Sequence, residues 1–278
     1  MILIDLPSVI IPEVLQLYAR AKLRVDDDLL RRVAITQILN YQKKYKEYGK
    51  VVICSDGRHY WRRDVFPLYK KNRKKGREDS DFDWETFYLV FDRVKQELRT
   101  LPFKFIEVTG LEADDVIAIL GMRYAASEKV MIISADKDLI QIQLFHKNVK
   151  QFSPITKKLV KKPEYSLVEH YIRGDSSDGI PNIFSDDDVF MCKEKRQKPI
   201  SAKFVSEAKK LEDPAMCATD STALDKYKRN QTLIDLTKIP KKYWDEVHEE
   251  YIKKHMPKST ILKYAVKHKL NHVLDKLG

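Results

Sequence analysis

The chain has 278 residues, 43% of them hydrophobic, with 52 Lys and Arg against 41 Asp and Glu for a formal net charge of +11. That length and apolar share suit about two domains, or one large one, with a proper core and argue against a disordered chain. No run approaches the roughly 18 apolar residues of a membrane span, and residues 1–4 meet Asp5 too early for a signal sequence, so a soluble protein is expected.

The first apolar run, 1–4, reads as a strand. Residues 28–48 carry Leu30, Ala34, Ile38, Tyr41 and Tyr45 on one helical face, with Asp26 to Asp28 as N-caps and Gly49 as the stop. A second strand is expected over 50–54. Between Arg58 and Asp83 periodicity is lost and charge dominates, which predicts a mobile excursion that orders on its ligand. Asp83 reads as the N-cap of a helix with a Trp84, Phe87, Phe91, Val94 and Leu98 stripe, ended by Pro102. Strands at 104–108 and 130–134 bracket a helix over 112–126. Apolar runs alternating with amphipathic ones predict an α/β fold with a mostly parallel central sheet flanked by helices. After Pro163 the chain reads as helical, over 167–173, 201–210, 223–233, 243–254 and 259–269, with an exposed charged insertion at about 184–198.

Cys54, Cys192 and Cys217 are an odd number without Cys-x-x-Cys spacing, which argues against a disulfide framework or zinc ribbon and fits a reducing cytoplasm. The seven histidines include no His-Glu-x-x-His pair and read as ordinary surface or core residues. Neither a Gly-x-Ser-x-Gly elbow nor a glycine-rich triphosphate loop occurs.

The acidic residues are more informative. Asp5, Asp56 and the pair Asp136 and Asp138 each follow an expected strand, at the edge where open α/β sheets bind ligands. Glu112, Asp114 and Asp115 open a helix, and Asp175 and Asp178 follow another. Any one of these is readily a cap or strand end. Nine together would repel unless cations neutralised them, and hard oxygen donors select Mg²⁺ or Mn²⁺. Two ions roughly 4 Å apart suit in-line displacement at a phosphodiester. A polyanionic partner fits the charge as well: between Asn40 and Arg77 there are 13 basic residues and three acidic ones. Over 60–73, aromatic rings interleave with cations, as in channels for single-stranded nucleic acid.

At this point the sequence resembles the flap endonuclease, or 5′ nuclease, family, and most closely its bacteriophage members. The carriers are Ile4-Asp5, Cys54-Ser55-Asp56, Trp61-Arg62-Arg63-Asp64, Tyr69-Lys70-Lys71-Asn72-Arg73, Glu112-Ala113-Asp114-Asp115, Ser134-Ala135-Asp136-Lys137-Asp138 and Gly174-Asp175-Ser176-Ser177-Asp178, in that order. The resemblance implies a Mg²⁺-dependent 5′→3′ nuclease, both exonuclease and flap endonuclease, that removes RNA primers and 5′ flaps in DNA replication with two Mg²⁺ ions, Mn²⁺ substituting. Asp5, Asp56, Glu112, Asp114, Asp136 and Asp115 would hold or orient the first ion, and Asp138, Asp175 and Asp178 would extend the site to the second. Lys70 and Arg73 would reach the scissile phosphate from the start of a helical arch, with Tyr69 stacking on a base. Arg62, Arg63, Lys71, Lys74 and Lys75 would guide the 5′ strand, and the helices after Asp175, with Lys203, would grip the duplex.

The resemblance further implies a nuclease core over 1–162, including a basic arch at about 58–83, and a helical duplex-binding region over 163–278. Expected substrates are branched or nicked duplexes and RNA–DNA hybrids with a 5′ end, met by a monomer in the cytoplasm of an infected bacterial host, away from any membrane. A single-strand-binding protein and a sliding clamp are the conceivable protein partners. Two departures stand out: Gly179 to Ile183 runs into an acidic insertion where the family has a Gly-hydrophobic-Gly hairpin, leaving a potassium site open, and only four residues precede Asp5. Competing readings are a PIN-type ribonuclease, whose chain is usually far shorter, and a non-catalytic nucleic-acid-binding replication protein, which has no need of nine carboxylates.

Overall fold

Strand β1 (Ile2–Asp5) lies at the centre of a six-stranded sheet. Its neighbours are β2 (Val51–Cys54), which pairs Cys54 opposite Asp5, and β4 (Val130–Ile133). The sheet order is β3-β2-β1-β4-β5-β6, with β3 (Lys104–Ile106) and β5 (Val149–Ser153) parallel to their neighbours and β6 (Lys158–Leu159) antiparallel at one edge. The chain first builds outward on one side of β1 and then on the other, so β1 marks the topological switch point. This computed structural model describes residues 1–161, 165–192, 194–271 and 273–274, the side chain of Lys75 excepted.

By its contacts the chain divides into two units: Met1–Arg58, Asp81–Lys162 and Lys241–Gly278 in the first, His59–Ser80 and Pro163–Pro240 in the second. The stretch 59–80 therefore goes with the helical unit and 241–278 with the sheet, unlike the continuous halves expected from the sequence. Residues 162 and 163, where that division was expected, lie outside the described residues.

In the first unit, helices α1 (Leu6–Ala21) and α2 (Asp27–Lys44) precede β2. The expected stripe of α2 is realised, with Leu30, Ala34, Ile38 and Tyr41 all buried. Helix α1 exceeds the sequence expectation, because Pro7 and Pro12 disguise it. Proline in the first turn forfeits no helix bond, and Leu6, Val9, Ile10 and Val14 bury one face. Two short helices, α3 (Arg62–Val65) and α4 (Asn72–Glu78), belong to the second unit and interrupt this order. Helix α5 (Trp84–Leu98) starts on the Asp83 cap and buries Phe87, Phe91, Val94 and Leu98. Then α6 (Ala113–Tyr124) and α7 (Ile140–Phe145) flank β4.

The second unit continues with α8 (Leu167–Arg173), α9 (Ala202–Ala208) and α10 (Ser221–Ile234), before α11 (Lys241–Ile252) and α12 (Ile261–Lys267) return to the sheet unit. Its own core gathers Phe66, Tyr69, Tyr171, Ile172, Ile180, Tyr227 and Ile234. The excursion expected to be mobile thus carries two helices and contributes Phe66 and Tyr69 to that core, with Arg62 buried beside them while Arg63, Lys71, Arg73, Lys74 and Arg77 stay exposed. The charged insertion is also tied down. Asn182 Nδ2 donates to Lys198 O and Lys198 N to Ser185 Oγ, both at 2.8 Å, and Lys195 bridges Asp186 and Asp188. No helix among the described residues is long and apolar enough to cross a membrane.

Candidate metal centre and basic arch

The acidic residues of the sheet unit are placed by the parallel register. Asp5 ends β1, while Asp56 and Asp136 follow the two strands that pair with it, so all three sit at one edge of the sheet. Asp5 is buried at 5% exposure. Burial, reinforced by the charges of Asp56 and Asp136, pushes its carboxyl up to about 7, against hydrogen bonds from Ser134 Oγ (2.6 Å) and the Ser8 amide (3.0 Å) that hold it down.

Asp56 reaches the next element: its Oδ1 accepts the Ala113 amide at 2.9 Å, at the start of α6. Gly57 makes that approach feasible, since a Cβ there would lie 1.9 Å from Val108 O. Glu112 and Asp115 form a reciprocal capping box, each side chain accepting from the other's amide, with the Glu112 amide 3.1 Å from Asp115 Oδ2. Asp115 is fully buried, so it orients Glu112 and the helix start. Asp114 is half-buried, and its charge, like that of Asp5, acts on Cys54. On the far side of β1, Asp136 Oδ1 accepts the Asp138 amide at 2.7 Å.

These residues suit a hard divalent cation. Their donors are carboxylate oxygens, and burial drives the Cys54 thiol well above its usual range, so it stays protonated and unsuited to a metal.

Supporting residues go beyond the sequence expectations. Gln151 is buried in β5 and donates from Nε2 to the carbonyls of Ser134 (3.1 Å) and Asp136 (2.6 Å), with its own Oε1 held by Gln143. Ser8 Oγ accepts the Ala135 amide at 2.9 Å, fixing the same loop.

In the second unit, Lys70 and Arg73 converge on Asp178. Lys70 adopts a left-handed φ of 58°, its amide donates to Asp178 O at 2.8 Å, and its Nζ lies 3.6 Å from Asp178 Oδ2. Arg73 pairs with Asp178 Oδ1 and donates from Nε to Ser177 O at 3.0 Å. Asp175 is buried beside His170. Arg63, Lys71, Lys74 and Lys203 are exposed, as strand- or duplex-guiding cations require. Lys75 lies in α4, with its side chain outside the described residues.

Two expected contacts with nucleic acid change character. Arg62 is 4% exposed and donates from Nε to Leu233 O at 2.8 Å, with its guanidinium 4.7 Å from the Trp61 ring centre. It ties α3 to the end of α10 instead of guiding a strand. Tyr69 is 2% exposed and its hydroxyl donates to Asp178 Oδ2 at 2.8 Å, so its ring packs in the core and is not offered to a base. Alternating aromatic and basic residues do not reveal which members turn inward.

Residues 22–171 match the family model of the 5′-3′ exonuclease N-terminal resolvase-like domain, and residues 161–278 match that of the T4 RNase H C-terminal domain. The chain belongs to the 5′-3′ exonuclease family. It is 30% identical to Ribonuclease H of Enterobacteria phage T4, over 92% of this chain and 88% of that one. It is 31% identical to a 5′-3′ exonuclease of Buchnera aphidicola, over 52% of this chain and 51% of that one. Among solved structures, the T5 D15 flap endonuclease in a complex with DNA and metal ions superimposes with a TM-score of 0.64 at 17% identity, covering 91% of this chain and 94% of that one. The T5 5′-exonuclease with bound zinc ions gives 0.62. Both carry the same fold. As a 5′-3′ exonuclease family member the protein is a metal-dependent nuclease, and the non-catalytic reading is set aside.

Proposed function

We propose that the protein is a Mg²⁺-dependent 5′→3′ nuclease that removes RNA primers and 5′ flaps during phage DNA replication in the host cytoplasm. It cuts phosphodiesters to leave 5′-phosphate and 3′-hydroxyl ends. The observation that carries this reading is Asp5, a buried carboxyl flanked by Asp56 and Asp136 at one edge of the parallel sheet. Asp5, Asp56, Glu112, Asp114 and Asp136 would hold the first ion, with Asp115 as their support. Asp138, Asp175 and Asp178 would serve the second.

Two divalent ions supply an activated water and charge neutralisation at the leaving oxygen. The protein's own groups do the rest. Lys70 and Arg73 donate N–H bonds to the non-bridging oxygens of the scissile phosphate as negative charge grows there. Their pairing with Asp178 and Ser177 O presets their direction before substrate arrives. Arg63, Lys71, Lys74 and Lys75 track the phosphates of the 5′ strand, and the region from 163 onward, with Lys203, grips duplex. Branched or nicked DNA and RNA–DNA hybrids are the substrates of this reading, with a single-strand-binding protein and a sliding clamp as candidate protein partners.

The test is cleavage of 3′-labelled 5′-flap DNA and of an RNA–DNA hybrid, in Mg²⁺ and in EDTA, with product ends mapped. Junction cuts or short 5′-end products that vanish with EDTA support the proposal. Tight binding without cutting in either Mg²⁺ or Mn²⁺ overturns it.

A further inference from the structure

His170 belongs to no expected site, yet it lies in a buried polar chain. Tyr165 OH lies 3.1 Å from His170 Nδ1, and His170 Nε2 lies 3.1 Å from Asp175 Oδ2. Both His170 and Asp175 are more than nine-tenths buried. The phenol has a proton to give and the carboxylate has none, so a neutral imidazole accepts at Nδ1 and donates from Nε2. The other carboxylate oxygen, Oδ1, accepts the Ser177 amide at 2.8 Å and its hydroxyl at 2.6 Å.

The local backbone makes the pairing possible. Helix α8 ends at Gly174, whose φ of 66° turns the chain sharply; a Cβ there would lie 2.2 Å from Ile180 O. Asp175 and Ile180 then exchange two backbone hydrogen bonds of 2.8 Å. That bridge and the Ser177 contacts already close the turn. The His170 bond sets the direction of Oδ2, as an outer-shell histidine does for a metal-binding carboxylate.

We propose that His170 is a positioning residue for Asp175, fixing through Tyr165 the orientation of a carboxylate that serves the second divalent ion. This rests on the reading of Asp175 given above. It assigns His170 no contact with substrate and no proton transfer.

The experiment is Mn²⁺ binding to the intact protein without nucleic acid, by titration calorimetry and by electron paramagnetic resonance of free Mn²⁺. Wild type is compared with D175A, H170A, H170Q and Y165F, alongside the Mg²⁺ concentration for half-maximal cleavage. H170A should weaken the weaker Mn²⁺ site and raise the Mg²⁺ half-saturation by about tenfold, with a smaller effect on the rate at saturating Mg²⁺. Y165F should shift both the same way by less, and H170Q, which keeps an N–H donor, should recover part of the loss. These two milder variants carry the test if H170A does not fold. If D175A weakens the site while H170A, H170Q and Y165F lower only the melting temperature, His170 is structural and the proposal fails. If D175A leaves Mn²⁺ binding intact, the second-ion role of Asp175 fails, and the proposal with it.

Discussion

The Ser134 hydroxyl donates to Asp5 Oδ2 at 2.6 Å, tying the end of β4 to the end of the central strand. This bond opposes the burial that drives the Asp5 carboxyl upward. S134A should therefore raise that carboxyl further and make the cation harder to load. The acid limb of the activity–pH profile should move up by about one to two units, since one hydrogen bond to a charged group contributes roughly 1.5–3 kcal/mol. A pH–rate series at fixed Mg²⁺ checks it, and an unmoved limb contradicts it.

Asp5 also links stability to pH. Its carboxyl is raised from 3.8 to about 7 in the fold, so the folded state binds the proton more tightly than the unfolded chain. The resulting stability is complete below the unfolded value and is lost as pH rises through the folded one. At pH 8 the metal-free protein should have lost about 2–4 kcal/mol at this residue. D5N has no charge to bury, and the Ser134 hydroxyl can turn to accept from its amide. Melting curves in EDTA at pH 8 should thus show D5N above wild type, and Mg²⁺ should stabilise wild type far more than D5N.

Lys70 and Arg73 are expected to act on the transition state more than on binding. R73A and K70A should each lower single-turnover cleavage by about 10²–10³ while changing substrate affinity in Ca²⁺ by less than about tenfold. Losses confined to affinity would remove both from the chemistry.

Arg62 and Arg63 are neighbours with opposite fates. R62A should cost about 2–3 kcal/mol of stability, because it leaves Leu233 O unpaired in a buried setting. R63A should leave the melting temperature unchanged and reduce the salt dependence of DNA binding by about one phosphate contact. Denaturant melts and binding at several salt concentrations separate the two.

This pair shows where sequence reasoning reaches its limit. Four parallel strands were legible as apolar runs alternating with amphipathic ones, and the aspartates that follow three of them marked Asp5, Asp56 and Asp136 as one edge. Strand β5 was hidden by Lys150 and Gln151, and α1 by two prolines. Arg62 and Tyr69 look like surface groups until α10 is folded against them, since burial of a cation depends on a partner 171 residues away. His170 likewise had no motif of its own; only the turn at Gly174 brings Asp175 back to it.

The most direct measurement is single-turnover cleavage of a 3′-labelled 5′-flap duplex by wild type and D114N at saturating Mg²⁺, with binding of the same duplex measured in Ca²⁺. Asp114 stands on the first turn of α6 among the carboxylates of the sheet edge. The account predicts that D114N loses at least about 10³ in rate while binding within about threefold of wild type. Normal cutting by D114N would contradict the assignment of this acidic edge as the metal centre.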